Sequence, residues 1–85
     1  MEWEPAIQAK FEQMVAKVPV FMRDVARATV SKKVEEFVVK EGSTMVNEKN
    51  LVDAFFAATP FGFHGPMKTD MKALGIDYVK YGYDQ

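Results

Sequence analysis

Four prolines, at positions 5, 19, 60 and 66, partition this sequence more firmly than any other feature. Proline lacks the backbone N–H and disfavours helical geometry at the residue before it, so each one marks a helix start or a break. Between these points the apolar residues recur at helical spacing. Ile7, Phe11, Met14 and Val18 are separated by four, three and four, with Trp3 ahead on the same line. Pro5 suits the first helical position, where its missing donor costs nothing. The spacing predicts a helix from about Pro5 to Lys17, halted by Pro19.

Pro19 can also open the next helix, which runs to about Glu41 with Gly42 as a left-handed stop. Its inner stripe reads Met22, Ala26, Val30, Val34, Phe37 and Val38, widened at the N-terminal end by Phe21 and Val25. Ser43 to Val46 reads as a short extended link. Asn47 is a good N-cap, Glu48 suits the first turn, and Val46 and Leu51 occupy the two positions of a hydrophobic staple. A third helix follows, about Glu48 to Ala58. Composition shifts at Pro60, where a turn-rich stretch to Pro66 carries Phe61, Phe63 and the single His, His64. A short fourth helix then runs to Leu74 with Gly75 as its stop. The tail from Ile76 carries Tyr78, Tyr81 and Tyr83 and reads as irregular.

The expected fold is all-α: a small orthogonal bundle of three main helices, a short fourth helix and an irregular aromatic tail. Residues 1–59 read as a helical module and 60–85 as an extension packed on the same single domain. Eighty-five residues allow one core. Eleven basic against twelve acidic residues leave a net charge of −1, which argues against unselective nucleic-acid binding. The absence of cysteine removes disulfides, a thiolate nucleophile and cysteine-ligated metal centres, and is compatible with a cytoplasmic protein. The N-terminus has no basic, apolar leader, and no apolar run approaches the roughly 20 residues of a membrane helix, so membrane insertion is not expected.

Catalysis needs convergent polar groups, and none stand out. His64 has neither a His nor a Cys partner for a zinc site. Its other readings are a plain loop residue or, flanked by Phe61 and Phe63, a contact for a flat ligand such as a tetrapyrrole. Residues 19–40 hold Arg23, Arg27, Lys32, Lys33 and Lys40 against Asp24, Glu35 and Glu36. Arg23 and Arg27 share one helix face, either as solvated cations or as a site for an acidic partner.

One ordered set of residues resembles a known family. Trp3-x-Pro5-Ala6, Val18-Pro19-x-Phe21-x-Arg23, Val34-Glu35, Glu41-Gly42 and Val46-Asn47-Glu48 are similar to the C-terminal, PCP_red-type domain of light-independent protochlorophyllide reductase. The resemblance covers residues 3 to 58. It implies a link to chlorophyll biosynthesis and photosynthesis, with a non-catalytic, oxidoreductase-associated role in binding or assembly. The parent's catalytic chemistry resides in a large domain outside this module. A redox partner protein or a porphyrin-like ligand is implied, with no intrinsic cofactor. The candidate binding residues are Pro19, Phe21, Arg23, Arg27, Phe61, Phe63 and His64. The alternative is a structural or dimerisation domain without ligand. A weaker one is DNA association through a histone-fold-like helix–strand–helix unit.

Overall fold

The computed structural model describes residues 1–85 as four helices and one two-residue strand pair. The elements are β1 (Glu2–Trp3), α1 (Pro5–Val15), α2 (Arg23–Lys40), β2 (Met45–Val46), α3 (Glu48–Ala58) and α4 (His64–Ala73). Three 3₁₀ turns, Val20–Met22, Phe61–Phe63 and Val79–Tyr81, connect or follow them. The fold is a small all-α bundle. At 1.5 Å per residue the 18 residues of α2 extend about 27 Å, close to the 31 Å longest dimension of the molecule. α2 is the spine, and its most extensive contact is with α3.

Local chemistry explains the boundaries. Pro5 occupies the first turn of α1. Asn47 and Asn50 form a reciprocal capping box at the start of α3. The Asn50 N–H donates to Asn47 Oδ1 at 2.9 Å, and the Asn47 N–H donates to Asn50 Oδ1 at 3.0 Å. Val46 and Leu51 are both fully buried beside this cap, as a staple requires. Gly42 and Gly75 adopt φ of 69° and 72° at the ends of α2 and α4, a region that disfavours any side chain.

The core joins all four helices. Ile7, Phe11, Met14 and Val15 of α1 meet Val30, Val34 and Val38 of α2, and Leu51, Val52, Ala54 and Phe55 of α3. Met67 and Met71 of α4, with Ile76 and Tyr78 beyond it, complete the same cluster. The C-terminal segment is a strap held by named contacts. Tyr78 is 1% exposed. The Tyr83 ring stacks on Phe56 with centroids 3.9 Å apart. Tyr81 Oη donates to Glu48 at 2.7 Å and Tyr83 Oη to Asp53 at 2.6 Å.

Several features differ from the sequence reading, among them the end of α1 at Val15, ahead of Lys17, and the start of α4 at His64, ahead of Pro66. Trp3 lies in β1, which pairs in parallel with β2 in the register Glu2–Met45 and Trp3–Val46. Its ring still reaches Phe11, with centroids 5.1 Å apart. Helix geometry does not begin at Pro19, because a 3₁₀ turn precedes α2. That turn advances about 120° per residue where an α-helix advances 100°. Phe21, nine residues before Val30, already lies about 180° from it on an unbroken α-helical wheel, and the tighter turn shifts that by only about 20–40°. Phe21 is consequently 85% exposed and does not widen the inner stripe. Val25 also faces outward, because five residues before Val30 correspond to about 140° on the wheel.

Candidate functional site

Two segments far apart in sequence adopt the same local structure at one end of the bundle. In Val18-Pro19-Val20-Phe21-Met22-Arg23 the Met22 N–H donates to the Pro19 carbonyl at 2.9 Å. In Thr59-Pro60-Phe61-Gly62-Phe63-His64 the Phe63 N–H donates to the Pro60 carbonyl, also at 2.9 Å. Pro19 and Pro60 have ψ of 141° and 143°, and Met22 and Phe63 have φ of −108° and −107°. Each turn ends on a residue whose side chain reaches back to the carbonyl just before the proline. Arg23 Nε donates to Val18 O at 2.8 Å, and His64 Nε2 lies 2.9 Å from Thr59 O. A carbonyl can only accept, so His64 Nε2 carries the proton there. No repeat was expected in this sequence. The shared signal is Pro, apolar, any, apolar, then Arg or His, too short to register as a sequence repeat.

These twin turns flank an apolar groove of about 480 Å³. One wall is Pro19, Met22, Val25 and Ala26, and the other is Pro60, Phe63, Pro66 and Met67. Met14, Val30 and Phe55 reach its floor from the core. Large apolar side chains stand exposed around it. Phe21 and Phe61, within the two turns, are 85% and 87% exposed, and Val20, Val25 and Phe63 are well over half exposed. A contiguous apolar surface of this kind on a small domain marks an interaction site. A second hollow of about 500 Å³ lies where the chain end crosses Lys72 and Tyr78, but it is shallow and open.

The groove end also carries charge. Lys17 and Asp70 line the groove, and Arg23 follows the first turn. Arg23 is committed to carbonyls, with a second bond from Nη2 to Ala16 O at 2.8 Å. Arg27 pairs with Glu12, and that hydrogen bond and charge raise its pKa further. Lys17 and Asp70 make no ion pair. No cluster of three or more His, Cys, Asp or Glu side chains could hold a metal.

Of the seven residues singled out from sequence, Pro19 and Phe63 line the groove, and Phe21 and Phe61 stand exposed in the turns beside it without lining it. Arg23 and His64 lock the turns, and Arg27 faces α1. His64 packs edge-on against Phe56 at 5.1 Å and beside Phe61 at 5.5 Å. Sequence reasoning missed the carboxylates that anchor the strap. Partial burial opposes ionisation of Glu48, but hydrogen bonds from Tyr81 and Lys10, with the charges of Lys10 and Lys80, outweigh it and hold the carboxyl below its ordinary range. Burial, then the bond to Asp53, pushes the Tyr83 hydroxyl up to about 12.

Comparisons with known proteins correct the family resemblance. A protein of Bacillus subtilis (strain 168) named "Membrane protein YneK" is 25% identical over 79 residues, covering 93% of this chain. The chain spans 56% of that relative's length. No solved structure matches. A family model for a protein of unknown function matches residues 1–83. That match continues through residues 60–83, which the PCP_red-type resemblance left out. The ties to protochlorophyllide reductase, chlorophyll biosynthesis and photosynthesis therefore fall. The physical reason is visible in the twin turns. Pro-x-Phe-x-Arg, the most specific part of the resemblance, here spells a proline-led 3₁₀ turn locked by a side chain, and the same turn forms at Pro60 with Gly62 and His64 in place of the Phe and the Arg. A local turn signature is no guide to ancestry, whereas a match along nearly the whole chain is, and by that match the chain belongs to the family described as protein of unknown function DUF2621.

Proposed function

We propose that the chain is a non-catalytic docking module whose groove end seats on an anionic lipid bilayer surface. The observation that carries this reading is the pair of proline-led turns, each holding an almost fully exposed phenylalanine between residues that line one apolar groove. An aromatic ring held on a short, internally bonded turn loses little conformational freedom on insertion. Fully burying one such ring contributes roughly 1.5–3 kcal/mol. Lys17, lining the groove, and Arg23, closing the first turn, offer cations to an anionic surface against Asp70, at about 1 kcal/mol per net basic residue near it. Two signals together suffice for stable interfacial binding where one is marginal. The name "Membrane protein" carried by the longer relative supports the same surface. No helix is long and apolar enough to cross a membrane, so this module would lie on the bilayer.

Co-sedimentation with vesicles tests the reading. The chain is expected to pellet with phosphatidylglycerol-containing vesicles and to release as salt rises. Phe21→Ser combined with Phe61→Ser should weaken retention at least tenfold. Equal retention of that double variant would overturn the reading. So would a concentration-dependent dimer that protects the Phe21 and Phe61 turns from solvent, since a second copy would then be the occupant.

A further inference from the structure

The two turns share a backbone path but are held in different ways. Arg23 locks the first from within its own connection, by bonds to the Ala16 and Val18 carbonyls. The second leans on a segment beyond α4. Its lock, His64, packs perpendicular to Phe56, with centroids 5.1 Å apart and planes at 83°. Phe56 is covered in turn by Tyr83 of the strap, stacked at 3.9 Å with planes 11° apart. The exposed Phe61 ring rests against His64 at 5.5 Å. Tyr83, Phe56, His64 and Phe61 thus form one unbroken run of rings from the chain end to a docking side chain. We propose that Tyr83, Phe56 and His64 are positioning residues that hold the Phe61 turn in its docking pose, so that lifting the strap disengages Phe61 and leaves Phe21 in place. The inference rests on the bilayer reading for what the Phe61 ring does, and not for how it is held.

The strap is built to lift before the core opens. Tyr78 is buried at its root, whereas Tyr81 and Tyr83 are only partly buried. Their hold is one hydroxyl bond each, to Glu48 and Asp53, together with the stacked ring. Segments with few buried contacts open locally at a lower free energy than the core. Gly82, at φ 99°, supplies the left-handed bend that separates the two tyrosines. Once Tyr83 leaves, one face of Phe56 has no ring against it, and the perpendicular Phe56–His64 pair loses its backing. His64 then keeps the 2.9 Å bond to Thr59 O, but the second side-chain torsion of histidine is broad, so that one bond does not fix the ring plane. Arg23, with two bonds and no aromatic support, has no such dependence.

Amide hydrogen exchange reads the hold directly, because the Phe63 and Met22 N–H groups make the same 2.9 Å bond in the two turns. Tyr83→Ala is expected to speed exchange at Phe63 by roughly fivefold or more and to leave Met22 within about twofold. Tyr83→Phe, which keeps the stacked ring, should stay close to the parent at both. Phe56→Leu, which keeps apolar bulk and removes the middle ring, should repeat the Tyr83→Ala pattern. Retention on phosphatidylglycerol-containing vesicles then carries the hold to docking through a double-mutant cycle. Phe61→Ser should weaken retention several-fold in the parent and hardly at all beside Tyr83→Ala, whereas Phe21→Ser should weaken it equally in both. Unchanged exchange at Phe63, equal loosening of both turns, or a full Phe61→Ser effect beside Tyr83→Ala would each overturn the inference. No vesicle binding by the parent would defeat the bilayer reading, and the exchange comparison would still decide whether the strap holds the turn.

Discussion

Tyr78→Phe should make this protein more stable, whereas the same change at Tyr81 or Tyr83 should make it less so. Tyr78 is 1% exposed, and its hydroxyl has no hydrogen-bond partner. Burying an unpaired hydroxyl costs about 1–3 kcal/mol in proteins. Deleting the oxygen removes that cost and leaves a hole of roughly 10–15 Å³, worth about 0.3 kcal/mol at 24 cal/mol per Å³. The ring keeps its place against Phe56, with centroids 5.9 Å apart. The expected net gain is about 1–2 kcal/mol, which at 4–8 °C per kcal/mol for a domain of this size raises Tm by roughly 4–16 °C. Tyr81 and Tyr83 are the controls, because their hydroxyls donate to Glu48 and Asp53. Hydrogen bonds to charged groups contribute about 1.5–3 kcal/mol, reduced here by partial exposure to roughly 1 kcal/mol. Urea and thermal unfolding followed by circular dichroism measure all three. A Tyr78→Phe variant destabilised by more than about 0.5 kcal/mol would refute the unpaired-hydroxyl argument. Neutral changes at Tyr81 and Tyr83 would refute the anchored strap.

Removing the exposed rings with Phe21→Ser and Phe61→Ser should leave unfolding within about 0.5 kcal/mol of the parent, since both are more than four-fifths exposed; a larger loss in chemical denaturation would place them in the core. Asn47→Ala breaks the capping box and should cost about 1 kcal/mol, in the same assay. The Glu48 carboxyl titrates below its ordinary value when folded, so its contribution is complete above the ordinary carboxylate pKa and lost as pH falls through the lowered one. Acid-unfolding curves of Glu48→Gln should lack that limb. The Tyr83 hydroxyl is raised from 10 to about 12, so its contribution is complete below pH 10 and lost as pH rises through about 12. Solvent reaching the partly exposed ring screens that contribution to roughly 1 kcal/mol; Tyr83→Phe should flatten the alkaline limb by that amount.

Helix identity was legible wherever one residue type controls the backbone. Pro5, Asn47, Gly42 and Gly75 each act within their own turn, and each element they start or stop stands where they put it. The stripe Val30, Val34 and Val38 was legible for the same reason, because a continuous helix keeps its phase. Phe21 and Val25 lie about 180° and 140° from Val30 on that same wheel, so their exposure was legible too and the stripe was drawn too wide. The groove was only half legible. Pro19, Phe21, Phe61 and Phe63 could be singled out separately, but their meeting depends on α2 and α4 starting at the same end of the bundle. The Glu48 and Asp53 anchors left no local signal, since their tyrosine partners are 33 and 30 residues away.

Charge balance, the absence of cysteine and the punctuation by proline and glycine were enough to require a small all-α domain. Those are properties of composition and of dihedral preference, and they operate without reference to distant neighbours. The pairing of β1 with β2, the burial of Tyr78, the strap across Phe56 and the groove between two matching turns belong to the tertiary structure. Each depends on contacts between segments far apart in the chain, so packing in three dimensions decides which apolar side chains become core and which are left to face a partner.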